Sequence, residues 1–519
     1  MASTTKSSPL SFSLLLIFTL LFLHPIVSSF TIKEATVADF QLGFQNKSLT
    51  SRQLVQFYMD EIDRLNLTFN AVIEVNPDAL ALADAADRER NAAAPGQSLS
   101  DLHGIPILLK DNIATKDKMN TTAGSLALLR SVVPRDAGVV VKLRQAGAII
   151  LGKASLTEWA NFRGKRMPSG WCARSGQGKN PYTSSDPCGS SSGSAIAAAA
   201  NLAAVTLGTE TDGSILCPSS YNAVVGFRPT LGLTSRAGVI PITLRQDTVG
   251  PICRTVADAV YVLDAIAGVD SHDAATTEAA KYIPTGGYKQ YLKTDGLKGT
   301  RLGLLKDAFF NFPTESVENK TYERHFNTLR QRGAVLVDNL DASKFMEVYE
   351  DIGTNEILAM TAEFKLAINS YLQTLEVSSV RSLKDLIEFN NKNSDLEKIE
   401  QYGQERFLEA EATNGIREKE QEAIQKLADM SRDGFEKIMR ENNLDALLAS
   451  PLSLASSILA TGQHPGITVP AGVDGEGLPF GLCFGGLKGS EPTLIKVAYD
   501  FEQATKIRRP PPSVTHSSY

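Results

Sequence analysis

The chain has 519 residues, of which 43% are hydrophobic, and its 52 basic and 58 acidic residues give a net charge of −6. A chain of this length and composition can bury a large core. Because the basic residues form neither a stripe nor a block, we expect no nucleic acid among its partners.

The first 29 residues have the pattern of a secretory signal peptide. Lys6 is the only charge before an apolar run over residues 14–23, and small side chains follow at Ser28 and Ser29. A run of about ten apolar residues suits the core of a signal peptide and is too short to cross a bilayer. We therefore predict cleavage near Ser29 rather than an uncleaved anchor. The mature chain would then have no stable membrane span and an extracellular or vacuolar destination.

Two further features bear on the secretory route. Asn-x-Ser/Thr sequons, which accept glycans in secreted proteins and also occur by chance elsewhere, begin at Asn46, Asn66, Asn120 and Asn319. Five cysteines show no metal-ligand spacing and cannot all pair: Cys172, Cys188, Cys217, Cys253 and Cys483. We expect a glycoprotein. We interpret the cysteines mostly as small buried hydrophobic residues, and one disulfide among them remains an open alternative.

After residue 30, helical patterns alternate with short apolar runs. The run over 105–109 predicts a strand buried on both faces, and a helix over 136–145 precedes a second strand over 147–153. Residues 247–251 have the composition of a turn. Further strands are predicted at 222–230, 301–305, 334–337, 446–449, 466–470 and 480–484.

This alternation indicates an α/β fold. We predict a single large domain over residues 30–507, with a central mixed, largely parallel sheet flanked by helices. Residues 343–441 are rich in Glu, Lys, Asn and Gln with long helical periodicity, which predicts a helical layer over the sheet. That layer is either a substrate cover or a plain solvated layer. The Pro-rich residues 508–519 are expected to form a flexible tail.

The densest cluster of glycine and serine lies between residues 187 and 215. One Gly-Ser cluster occupies 189–194 and a second occupies 208–214, and the segment between them, 195–207, is almost entirely apolar. Such a segment predicts a helix buried on most sides that holds both clusters. Glycines there let backbone N–H groups approach a ligand closely, so this stretch is a candidate active site.

Lys110 stands where the predicted strand over 105–109 ends. A lysine in this position either extends its amine outward to solvent or is desolvated. Desolvation would lower its pKa and make a neutral general base available.

Other catalytic patterns fit less well. Residues 189–193 match Gly-x-Ser-x-Gly, but that motif requires a preceding strand, and 180–187 is polar with two prolines. A histidine base for such an esterase would be His272, His325 or His464. Residues 147–154 resemble a phosphate-binding loop, yet an apolar strand replaces the loop and Ala154 replaces the hydroxyl. No paired histidine motif indicates a metal, so we expect neither metal nor cofactor.

Several motifs together give the chain its strongest resemblance, and they occur at 104–112, 189–195, 208–215, 225–230, 247–251, 467–472 and 477–482. In this order and spacing they resemble the amidase signature family over roughly residues 32–507. The chain is most similar to bacterial peptide amidases and their plant relatives.

The resemblance implies a Ser–cis-Ser–Lys triad. Ser214 would be the nucleophile and Lys110 the base, while Ser190, after a cis peptide bond, would relay the proton between them. Ser191 would orient Lys110. The oxyanion hole would consist of backbone N–H groups of Thr211, Asp212, Gly213 and Ser214. The implied reaction is hydrolysis of a small-molecule or peptide carboxamide through an acyl-enzyme, with release of ammonia or an amine.

Two departures from the family pattern narrow the expectation. Leu216 stands where many members have arginine, and Asp212 stands in the usual Gly-Gly pair before the nucleophile. Both weaken the interpretation as part of a tRNA-dependent amidotransferase or as an enzyme for small carboxylate-bearing amides. The alternative is a catalytically degenerate member that acts as a binding protein, which the intact triad disfavours.

Overall fold

The computed structural model of the chain describes residues 1–4, 30–94, 96–451 and 453–512. The predicted signal peptide over 1–29 therefore lies almost entirely outside the described residues, as does the end of the predicted tail.

The strands of the described residues form one large sheet and one small hairpin. The large sheet has the order β1-β3-β2-β6-β8-β7-β12-β13-β11-β9-β10, and β4 pairs with β5. The strands are β1 (Val72–Val75), β2 (Pro106–Lys110), β3 (Ile149–Ala154), β4 (Trp171–Cys172), β5 (Gly176–Gln177), β6 (Val205–Glu210), β7 (Val225–Arg228), β8 (Thr248–Cys253), β9 (Arg301–Leu304), β10 (Val335–Val337), β11 (Ala446–Ala449), β12 (Gly466–Val473) and β13 (Pro479–Gly485).

Helices cover this sheet. In chain order they are α1 (Val37–Gln45), α2 (Ser51–Phe69), α3 (Ala79–Ala92), α4 (Gly138–Gln145), α5 (Ser192–Ala199), α6 (Leu216–Tyr221), α7 (Val256–Ile266), α8 (Ala275–Ala279), α9 (Lys306–Phe309), α10 (Val317–Gln331), α11 (Ala342–Glu347), α12 (Ile352–Thr374), α13 (Leu383–Lys392), α14 (Ile399–Tyr402), α15 (Glu405–Glu411), α16 (Glu418–Met430), α17 (Lys437–Glu441), α18 (Ala455–Thr461) and α19 (Glu491–Thr505).

The predicted fold class, an α/β domain with a mixed sheet flanked by helices, is confirmed. The sheet is less parallel than expected, however. Among the described strands, β2 pairs in parallel with β3 and β6, and β9 with β10 and β11, while the other neighbours are antiparallel. The prediction assumed a crossover helix between successive strands, but β12 and β13 follow each other through a short turn.

Two local predictions inside the sheet were wrong. The apolar segment 195–207 is not one helix, because α5 ends at Ala199 and β6 begins at Val205, where β-branched residues pair with β2 and β8. Residues 248–253 are not a turn but strand β8, which lies between β6 and β7. The strand requires glycine at position 250, because a Cβ there would come within 1.9 Å of the Phe227 carbonyl oxygen.

The helical layer over 343–441 is part of the core. Phe364 on α12 and Phe407 on α15 stack on each other and pack against Phe162 and Trp159 in the loop after β3. Its attachment is also ionic, since the fully buried Arg163 lies 3.2 Å from Glu397 of the layer. The layer therefore packs directly on the loops that surround the carboxyl ends of β2 and β3.

Candidate active site

The parallel pairing of β2 with β6 determines where Lys110 lies. Leu109 is in register with Leu207, so the end of β2 reaches the glycine-rich continuation of β6. Lys110 is fully buried, and its Nζ lies 2.8 Å from Ser190 Oγ, 2.9 Å from Ser191 Oγ and 2.9 Å from the Thr209 carbonyl oxygen. Burial lowers the pKa of Lys110 to about 7, although the charges of Glu210 and Asp247 oppose that change.

The three neighbours of Nζ have different hydrogen-bonding roles. The Thr209 carbonyl oxygen can only accept a hydrogen bond, and Ser191 Oγ donates its own proton to that same oxygen at 3.0 Å. A neutral lysine has two N–H donors and one lone pair. The Thr209 carbonyl oxygen and Ser191 Oγ accept the two N–H groups. The lone pair is then left for Ser190, which distinguishes Ser190 from Ser191.

Ser190 connects the lysine to a second serine. Ser190 Oγ lies 3.0 Å from Ser214 Oγ, which has no other hydrogen-bond partner in the described part of the chain. The Gly189–Ser190 peptide bond is cis. Ser191 N–H also donates to the Ser214 carbonyl oxygen at 3.1 Å, so the two Gly-Ser clusters are joined through the backbone as well.

A disulfide holds the same two segments together. Cys188, two residues before Ser190, is bonded to Cys217 in α6, three residues after Ser214. The other cysteines, Cys172, Cys253 and Cys483, are free and buried. Composition alone left the pairing open, because the two partners are 29 residues apart and only the fold brings them together.

The turn that precedes Ser214 presents free backbone donors. No described residue accepts a hydrogen bond from the backbone N–H groups of residues 211–214. The next two N–H groups, of Ile215 and Leu216, donate instead to Glu210 Oε2 at 2.6 and 2.9 Å. Gly213 has φ +72°, which an L side chain rarely adopts, so the turn requires glycine there. The result is a short row of N–H groups without a protein acceptor in the turn that carries Ser214.

Three further buried polar groups, none of them predicted as a site residue, support this turn. Glu210 caps the start of α6 and lies 3.4 Å from Arg228. Asp247 accepts a hydrogen bond from Thr211 Oγ1 at 2.6 Å and two from the backbone of residues 242 and 243. Burial raises the pKa of both carboxyls, against the hydrogen bonds and charges that lower it. All three residues, Glu210, Arg228 and Asp247, lie within family motifs. Their position in those motifs is the sequence signal that could have identified them.

Asp212, also in this turn, is directed toward the helical layer. Its Oδ2 accepts a hydrogen bond from Ser457 Oγ of α18 at 2.6 Å, and Glu356 of α12 is its other close neighbour. No sequence pattern singled out Glu356.

The alternative sites lack the required contacts. His272 contacts Asp270, His325 contacts the Ala471 carbonyl oxygen, and His464 contacts Ser431, so none of the three reaches the serines. Residues 178–191 contain neither strand nor helix, and the Gly-x-Ser-x-Gly match therefore lacks its strand. Lys153, from the near match to a phosphate loop, is buried and donates to the Ile113 carbonyl oxygen and Thr121 Oγ1.

The described residues contain no group of three or more His, Cys, Asp or Glu side chains that could hold a metal ion. No described helix is both long and apolar enough to cross a membrane.

Comparisons with known proteins agree on one family. A family model described as Amidase matches residues 53–495. A probable amidase of Arabidopsis thaliana is 55% identical over 485 residues, which is 93% of this chain and 92% of that protein. A putative amidase of Schizosaccharomyces pombe is 37% identical over 521 residues, covering 95% of this chain and 88% of that protein. The structure of native peptide amidase from Stenotrophomonas maltophilia is 42% identical with a TM-score of 0.84, covering 93% of this chain and 99% of that chain.

Proposed function

This chain belongs to the Amidase family and is an amide-hydrolysing enzyme, and we propose that it works through Ser214, Ser190 and Lys110. The observation that carries the proposal is the continuous contact from Lys110 Nζ through Ser190 Oγ to Ser214 Oγ, at 2.8 and 3.0 Å. Those distances allow proton transfer without any side chain moving first.

In the proposed acylation step, neutral Lys110 takes the proton of Ser190 while Ser190 takes that of Ser214. Ser214 Oγ then attacks the carbonyl carbon of the amide, and the negative charge that forms on its oxygen is stabilised by N–H groups of residues 211–214. The proton returns from Lys110 through Ser190 to the leaving nitrogen. The C–N bond breaks, ammonia or an amine departs, and water hydrolyses the acyl-enzyme by the same relay.

The substrate that we propose is an uncharged carboxamide of a small molecule or a peptide. Leu216 is buried in α6, so the position that carries arginine in many relatives offers no cation here. The similarity to a peptide amidase over nearly its whole length favours the same substrate class.

We also propose that the enzyme enters the secretory pathway. The N-terminal pattern and the Cys188–Cys217 disulfide support this, since disulfides persist in oxidising compartments. Asn46 is exposed, whereas the side-chain N–H groups of Asn66, Asn120 and Asn319 are used in hydrogen bonds, so we expect the glycan at Asn46. An Asn46→Gln variant should lose the mass shift that a glycosidase causes in the native protein, and an unchanged shift would contradict this assignment.

The direct test of the proposed function is ammonia release from simple amides and C-terminal peptide amides. Ser214→Ala should lower kcat by on the order of 10⁴-fold or more, because no other group can form the acyl-enzyme. Ser194→Ala is the matched control: its buried hydroxyl donates to the Leu207 carbonyl oxygen, away from the proton path. Near-native turnover by a correctly folded Ser214→Ala enzyme would refute the proposal.

A further inference from the structure

A pair of carboxyl groups connects residues 211–214, which we call the nucleophile turn, to the helical layer. Asp212 lies two residues before Ser214, and Glu356 of α12 is within hydrogen-bonding reach of it. Each carboxyl group has one neutral donor: Ser457 Oγ donates to Asp212 Oδ2, and Gln246 Nε2 donates to Glu356 Oε1, both at 2.6 Å. Asp212 Oδ1 is buried and accepts no hydrogen bond from any described residue.

No cation makes contact with this pair in the described part of the chain. The charge of Arg245 acts on Glu356 from a distance, but its guanidinium donates to Glu363 of α12 at 2.9 and 3.1 Å. On the loop before β8, Asp247 adds another acidic group, which is occupied by Thr211 and two backbone N–H groups. Glu356 is buried, and Asp212 is half-buried with its Oδ1 atom enclosed. Adjacent carboxyl groups without a counter-ion in such surroundings do not both ionise, so one of them retains a proton.

We infer that Asp212 and Glu356 share one proton, and that the resulting hydrogen bond positions the turn that carries the nucleophile. The proton belongs on Glu356, where it would be donated to the unsatisfied Asp212 Oδ1. Glu356 is thus a positioning residue supplied by the helical layer. The inference rests on the proposed function, since it concerns the geometry of the same catalytic turn.

The protonation of Glu356 has a consequence for pH dependence. Burial, followed by the charge of Asp212, raises the pKa of Glu356 to about 8, while Gln246 and Arg245 act in the opposite direction. Below that pH the proton is present and the turn is held. Above it two negative charges face each other, and the turn is repelled from α12. Because Lys110 must be neutral, which favours pH above about 7, activity should have a narrow maximum between the two values.

Glu363 provides a matched control on the same helix. It lies two turns further along the same face of α12, and it is an ordinary ion-paired carboxylate. Glu356→Gln keeps a neutral N–H donor for Asp212 and an oxygen for Gln246, but it cannot ionise. Glu363→Gln removes a charge of the same kind from the same helix without touching the nucleophile turn.

The experiment is the pH dependence of kcat and kcat/KM for native enzyme, Glu356→Gln, Glu356→Ala and Glu363→Gln. We expect Glu356→Gln to stay within about threefold of native activity at pH 7 and to lose the decline above pH 8. Glu363→Gln should retain that decline. Glu356→Ala should lower kcat roughly tenfold with little change in KM, because it leaves Asp212 Oδ1 unsatisfied.

The outcomes separate this inference from the proposed function. A native-like decline above pH 8 in Glu356→Gln would overturn the shared proton, even if Ser214→Ala is inactive. Should Glu356→Gln fail to fold, Asp212→Asn supplies the second test, since an amide beside Glu356 also removes the need for a shared proton. Retention of the decline in Asp212→Asn would overturn the inference equally.

Discussion

Lys110 and Lys153 are two buried lysines on adjacent parallel strands, with different surroundings. Lys110 ends β2 beside two serine hydroxyls. Lys153 lies on β3 in register with Leu109 of β2, and it donates to the Ile113 carbonyl oxygen and Thr121 Oγ1. Burial lowers the pKa of Lys110 to about 7 and that of Lys153 to about 8. Desolvation alone therefore does not distinguish a catalytic base. What distinguishes Lys110 is a hydroxyl that can give it a proton and a second serine beyond that hydroxyl.

The largest expected effect on turnover comes from replacing each of the two lysines by methionine. Lys110→Met should lower kcat by on the order of 10³–10⁴-fold, because it removes the proposed base. Lys153→Met should leave kcat within about threefold but lower the free energy of unfolding by about 1–3 kcal/mol, through two unsatisfied buried oxygens. Amide-hydrolysis kinetics and denaturant unfolding of both variants measure the two effects. Equal kcat losses would break the contrast between the lysines.

A smaller effect should separate the two serines that contact Lys110. Ser190→Ala interrupts the path to Ser214, so we expect a kcat loss of about 10²–10³-fold. Ser191→Ala removes one acceptor of the lysine and the hydrogen bonds of that hydroxyl with the Thr209 backbone, but it leaves the path to Ser214 intact. A loss of about tenfold is therefore expected. Steady-state kinetics of the pair decide the matter. A more damaging Ser191→Ala would transfer the relay to Ser191.

The smallest effect on turnover should come from the disulfide. Replacing Cys188 and Cys217 by serine opens a link between positions 29 apart, which the chain-entropy model values at about 3–4 kcal/mol of unfolding free energy. The two Gly-Ser clusters are also joined by the backbone hydrogen bond from Ser191 N–H to the Ser214 carbonyl oxygen. We therefore expect kcat to fall only a few-fold. Unfolding with and without reductant tests this. A native protein insensitive to reductant, with stability equal to the double variant, would contradict it.

Local patterns were enough for some parts of the structure. The aliphatic run before Lys110 predicted a buried strand, and β2 ends at that lysine. The family resemblance pointed to Ser190 and Ser214, whose assignment as relay and nucleophile stays a prediction.

Features that depend on distant parts of the chain could not be predicted. Strand β8 was predicted as a turn because glycine and proline, here Gly250 and Pro251, are common in turns. Glycine is required at position 250 because the Phe227 carbonyl oxygen, distant in sequence, lies too close for a side chain. The boundary between α5 and β6 depends on pairing with β2 and β8. Glu356 has no local mark at all, since only the packing of α12 over the sheet brings it to Asp212.

Covalent labelling tests directly whether Ser214 is the nucleophile activated through Ser190 and Lys110. The native enzyme is labelled with a serine-directed fluorophosphonate at pH 8, digested, and the modified residue is located by peptide mass spectrometry. We expect a single adduct on Ser214 that forms much more slowly in Lys110→Met. An adduct on Ser190 or Ser191, or labelling of Ser214 at an undiminished rate without Lys110, would contradict it.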